Sequence, residues 1–82
     1  MKIFEDELRG KTVMSEEGVY LGILRNSLFE EKTGSLTNIL IEPSEEVDPR
    51  LYNLDEMGHL VFPFENIKSV KDVIIVGSGW FL

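Results

Sequence analysis

The chain has 82 residues, no Cys and a formal net charge of −7, with 15 acidic side chains against 8 Lys and Arg. That length supports one domain, and the missing Cys excludes disulfide staples and thiolate metal sites. The acidic balance opposes direct contact with nucleic acid or anionic lipid, because both kinds of binding draw their energy from clustered Lys and Arg.

A domain this small buries roughly 60–65% of the surface its unfolded chain exposes. Its stability margin is thin, and a shared interface in an oligomer is one way to add buried area. The longest wholly aliphatic run, Val73 to Val76, is far short of a membrane span. The N-terminus has no basic segment followed by an apolar one, so no signal peptide is expected and the reading places the protein in the cytoplasm.

Ile3 to Leu8 reads as a lead-in turn, with Ile3, Phe4 and Leu8 supplying apolar contacts. Gly10 opens strand one, Thr12 to Met14. Ser15-Glu16-Glu17-Gly18 makes a tight turn, with Gly18 free to take positive φ. Strand two runs from Val19 to Phe29 and bends at Gly22. Strict alternation along it groups Leu21, Ile23 and Phe29 on one face and Leu24, Asn26 and Leu28 on the other. Glu30 to Gly34 turns the chain into strand three, Ser35 to Glu42, whose core face carries Ile39 and Ile41.

Residues 43–58 break the pattern. Pro43, Pro49 and five carboxylates interrupt any sustained period, which predicts a loop or short helical insertion. Within it, the spacing of Leu51, Tyr52, Leu54 and Met57 would let a helical turn lay an apolar edge on the core. His59 to Phe62 resumes strand character until Pro63, which cannot donate to a ladder, stops it. Ile67 to Val70 and Val73 to Val76 complete about six strands, and Gly77-Ser78-Gly79 forms a hinge before Trp80-Phe81-Leu82. The expected fold is mainly β: one domain over residues 1–82, a small antiparallel β-barrel, with residues 77–82 as flexible hinge and apolar tail.

No catalytic constellation emerges. His59 is the single histidine, and Asp55 and Glu56 lie close to it in sequence, but no positioned nucleophile accompanies them. A half-exposed strand-starting histidine is the favoured reading. The pairs Glu16-Glu17, Glu30-Glu31 and Glu45-Glu46 fall in turns or loops, where adjacent carboxylates do not flank a cleft. The glycines lack the strand-to-helix setting of a phosphate cradle. Trp80, Phe81 and Leu82 are the candidate interaction residues, because three large apolar side chains left in water cost free energy. They either fold back onto the core or cross to a second subunit or another protein, and both alternatives stand.

The order of Leu8-Arg9-Gly10-Lys11-Thr12-Val13, Gly18, Leu21-Gly22-Ile23-Leu24, the turn ending at Gly34, the strand to Ile41, and Val61-Phe62-Pro63-Phe64-Glu65-Asn66-Ile67-Lys68-Ser69-Val70 resembles the PRC-barrel family. Asp72 to Val76 fits that family's last strand. The resemblance spans nearly the whole chain apart from the middle insertion and the aromatic tail. It implies a non-enzymatic barrel that binds other proteins, without catalytic residues or cofactors. Family members include the reaction-centre H subunit's cytoplasmic domain, a ribosome-maturation factor's C-terminal domain, and stand-alone proteins common in archaea, some linked to cell division. This chain is most similar to the stand-alone archaeal type.

The expected function is therefore a protein–protein interaction module, a homodimer with a protein partner and no direct nucleic-acid or membrane partner. An alternative is association with ribosome maturation through a basic ribosomal protein. A small-molecule site is the weakest candidate, since a barrel this small fills its interior with its own side chains.

Overall fold

The computed structural model describes residues 5–77 of the chain. A four-residue helix, α1 (Glu5–Leu8), leads into β1 (Thr12–Ser15), β2 (Tyr20–Phe29), β3 (Leu36–Pro43), β4 (Leu60–Pro63), β5 (Ile67–Val70) and β6 (Val73–Val76). One-turn 3-10 helices occupy Pro49–Leu51 and Phe64–Asn66. The strands form one sheet in the order β4-β3-β2-β1-β6-β5.

Two features depart from an antiparallel barrel. The β1–β6 pair is parallel, with Val13 opposite Ile74 and Ser15 opposite Val76. The sheet is also open, with β4 and β5 as its two edges. Those edges are consecutive in sequence, joined only by Phe64-Glu65-Asn66. Three residues span at most about 10 Å, so the sheet curls strongly and brings its edges near one another without a ladder between them. Pro63 ends β4 and has no N–H to offer, and the 3-10 turn after it redirects the chain.

The concave face holds the core: Leu8, Val13, Leu21, Leu24, Ile39, Ile41, Leu60, Phe62, Ile74 and Val76 are all buried. Register explains the grouping, because residues paired across strands share a face. Leu24, Ile41 and Leu60 form one inward row, and Ser27, Ile39 and Phe62 the next. Ile39 and Ile41 are therefore core residues, as their strand pattern predicts. Leu8 anchors α1 beneath this layer. Ile3 and Phe4 lie outside the described residues.

Simple alternation along β2 is overturned. Leu21 and Leu24 are both buried although their parities differ. The register on β1 slips between Tyr20 and Gly22, leaving Leu21 without a partner just before Gly22 at φ +149°, and a bulge between Leu24 and Asn26 then turns Ser27 inward while Phe29 and Leu28 stay exposed. A bulge adds one unpaired residue and so exchanges the two faces downstream of it.

The insertion contains the short helix Pro49–Leu51, started by Asp48, whose side chain accepts from the Arg50 N–H at 3.0 Å. It does not lay the predicted apolar edge on the core. Tyr52 packs there, with its ring 6.0 Å from that of Phe62. Leu51, Leu54 and Met57 are exposed. A single 3-10 turn gives three residues per turn and too little length to align four side chains on one stripe.

Candidate interaction surface

The convex face of the sheet is unusually apolar. Ile75, Met14 and Tyr20 form one row across β6, β1 and β2, and Val73, Thr12, Ile23 and Glu42 form the next across β6, β1, β2 and β3. Farther along, Asn26, Leu40 and Val61 share a row, followed by Leu28, Asn38 and Pro63. A solvated antiparallel face normally alternates to polar side chains. Here most of those positions are apolar and half-buried, with Leu28 43% exposed.

At one corner this face deepens into a recess of about 370 Å³ lined by Tyr20, Ile23, Glu42, Pro43, Ser44, Glu45 and Glu46. Its outer wall is the start of the β3–β4 connection. Ser44 pins that wall to β2: its N–H donates to the Leu21 carbonyl at 2.8 Å, and its hydroxyl donates to the Tyr20 carbonyl. The same hydroxyl accepts from the Glu46 N–H at 3.1 Å. Gly22 makes the approach possible, since a Cβ there would collide with the Glu42 backbone. The recess is thus held by backbone bonds and close packing.

Carboxylates dominate this corner. Glu42 pairs with Arg25 at 3.1 Å, both partly exposed. The β1–β2 turn, residues 16–19, and the β3–β4 connection, residues 44–59, together carry Glu16, Glu17, Glu45, Glu46, Asp48, Asp55 and Glu56, against Arg50 as their one Lys or Arg. Arg50 is itself engaged by Asp48, through Nε at 3.0 Å and Nη2 at 2.9 Å. Those hydrogen bonds hold the Asp48 carboxyl below its ordinary value.

His59 does meet Asp55, with Nδ1 donating to Oδ2 at 3.0 Å. The arrangement is a loop clasp. Asp55 Oδ1 accepts from the His59 N–H at 2.8 Å and from the Met57 N–H at 2.9 Å, and Gly58, at φ +85°, closes the turn. Burial pushes the Asp55 carboxyl up, but the His59 backbone and ring bonds and the Met57 bond outweigh it and hold the carboxyl below its ordinary value. Among the described residues no group of three or more His, Asp or Glu side chains could hold a metal ion.

The Glu16-Glu17, Glu30-Glu31 and Glu45-Glu46 pairs are exposed in turns or loops, but Glu45-Glu46, contrary to expectation, does border a recess, because the β2–β3 register brings the 42–46 segment beside Tyr20 and Ile23. Gly10, Gly18 and Gly34 take positive φ at the predicted turns, and Pro63 closes β4. Trp80, Phe81 and Leu82 lie outside the described residues. Gly77, ahead of them, is buried and bonded to Asn66 through both polar groups: its N–H donates to the Asn66 carbonyl at 2.9 Å, and its carbonyl accepts from Asn66 Nδ2 at 3.2 Å. Sequence reasoning missed the convex rows and the recess. The signal for them was the apolar identity of Met14, Tyr20, Ile23 and Ile75 between core positions.

Among the described residues no helix is long and apolar enough to cross a membrane. An uncharacterized protein of Methanocaldococcus jannaschii is 24% identical over 66 residues, covering 80% of this chain and 71% of that relative. The fold is similar to that of RimM of Pseudomonas aeruginosa, assigned to 16S ribosomal RNA processing, with a TM-score of 0.65 at 14% identity. That match covers 94% of this chain but only 44% of the other, so the chain spans less than half its length. The PRC-barrel domain family matches residues 2–81, and with its six-stranded curled sheet this chain belongs to that family.

Proposed function

We propose that this PRC-barrel domain is a non-enzymatic, cytoplasmic protein-interaction module of the stand-alone archaeal type. The observation that carries the reading is the convex face, where Ile75, Met14, Tyr20, Val73 and Ile23 form adjoining apolar rows on the side away from the core. Apolar surface outside the core gains free energy when a partner covers it, by about 25 cal/mol per Å² of area removed from water. The archaeal relative supports the type. Trp80, Phe81 and Leu82 supply a further anchor, within a homodimer or against another protein, and archaeal cell division is the proposed setting. Sedimentation equilibrium of the full chain and of a chain ending at Gly79 tests the dimer: the full chain should reach dimer mass and the shorter one should shift toward monomer. Equal masses reject that anchor.

A second reading has a specific observation behind it, the fold shared with a protein assigned to 16S ribosomal RNA processing. In that reading the module serves ribosome maturation by holding a basic ribosomal protein, since its own charge opposes direct RNA contact. Salt-dependent binding to RNA in a titration would contradict the protein-mediated version.

A further inference from the structure

We infer that the recess beside Ser44 takes an extended basic segment of a partner protein, with Lys or Arg flanking one apolar side chain. The inference deepens the module reading and rests on it. Three observations lead there. The first is size: about 370 Å³ lies at the small end of the range for ligand pockets, about 300–1,000 Å³. It fits a few side chains of an extended chain and excludes a folded surface from its floor.

The second is chemistry. Tyr20, Ile23 and Pro43 offer an apolar and aromatic floor, and the exposed Glu42, Glu45 and Glu46 stand around it. Arg25 compensates Glu42 alone. Long basic side chains suit such a site, because their aliphatic stems cover apolar surface while their charged heads reach the carboxylates. The third is preorganisation. The wall is fixed to β2 by the Ser44 hydrogen bonds and by the close passage at Gly22, so little ordering remains to oppose binding.

Other occupants fit less well. A second copy would bring another strongly acidic chain toward the same carboxylates. Nucleic acid would meet like charge. A metal ion lacks a converging donor set among the described residues.

The test is a ¹⁵N NMR titration of the full chain with a synthetic Lys/Arg-Val peptide, and with a control in which every basic residue is Glu. The expected result is saturable shifts centred on Tyr20, Ile23 and the 42–46 segment, with affinity falling about tenfold between about 50 and 300 mM salt. Glu45→Gln combined with Glu46→Gln should weaken binding about fivefold or more at unchanged melting temperature. Ile23→Ala should weaken it as well. Shifts scattered over the other acidic turns, equal binding of the control, or insensitivity to either variant would overturn the inference. So would calcium chloride producing the same shifts, or a dimer that only the Gln variants dissolve. A natural partner whose capture is unaffected by the Gln variants would sink this inference while leaving the module reading intact.

Discussion

Gly22 and Glu42 touch backbone to backbone: a Cβ built on Gly22 would lie 1.8 Å from the Glu42 carbonyl oxygen and 2.8 Å from its carbonyl carbon. No side chain fits, and the φ of +149° favours glycine independently. This contact joins the bend in β2 to the wall of the recess. Gly22→Ala should destabilise the protein by roughly 3–5 kcal/mol, combining backbone strain with forced separation of β2 and β3. Urea denaturation of both proteins measures it. A loss below about 1 kcal/mol would mean the strands part easily there.

Ser27 faces the core beside Ile39, at the end of the row that Phe62 continues, and its buried hydroxyl oxygen has no hydrogen-bond partner among the described residues. Burying an unpaired hydroxyl costs about 1–3 kcal/mol, and removing it recovers part of that. Ser27→Ala should therefore match or exceed the wild-type stability, within about 1 kcal/mol. A clear loss in thermal melting would show that the hydroxyl is bonded in solution.

Asn66 joins the turn after β4 to the end of β6. Its side chain donates to the buried Gly77 carbonyl, while its own carbonyl receives the Gly77 N–H. Asn66→Ala should cost about 1–3 kcal/mol by leaving the Gly77 carbonyl without its side-chain donor. Hydrogen exchange should report faster opening at the end of β6, ahead of slower changes in β2 and β3. Equal exchange along β6 would contradict the assignment.

The Asp55 clasp sets a pH dependence. Its carboxyl ordinarily titrates at 3.8 and is lowered in the fold by the bonds from His59 and Met57. The unfolded chain therefore takes up the proton first as pH falls. The stabilisation is fully present above the ordinary value and is lost as pH drops through the lowered folded value. Melting curves at decreasing pH should show this acid limb in the wild type and a flatter one in Asp55→Asn. Identical slopes would remove Asp55 from the account.

Much of this was legible in the residues. β6 follows from its aliphatic run and β5 from Ile67 and Val70 ahead of the Lys71-Asp72 break, and the turns at Gly10, Gly18 and Gly34 follow from their positions between apolar segments. The parallel β1–β6 pair was not legible, because nothing local in Thr12–Ser15 tells which distant strand will lie beside it or in which direction. The faces of β2 were misassigned because a bulge depends on the partner strand and has no signature in alternation alone. The recess was invisible for a related reason. Tyr20, Ile23 and the 42–46 segment meet only through the β2–β3 register, and Ser44 shows its pinning role only once that register is known.

The central claim is that the convex face and its acidic corner bind protein. Affinity capture from a native cell lysate with the wild type, with Tyr20→Glu and with Met14→Glu tests it most directly, with melting curves confirming that each variant folds. The account predicts that one defined protein co-purifies with the wild type and is lost from both variants. The same protein retained by both variants, or RNA recovered in its place, would contradict it.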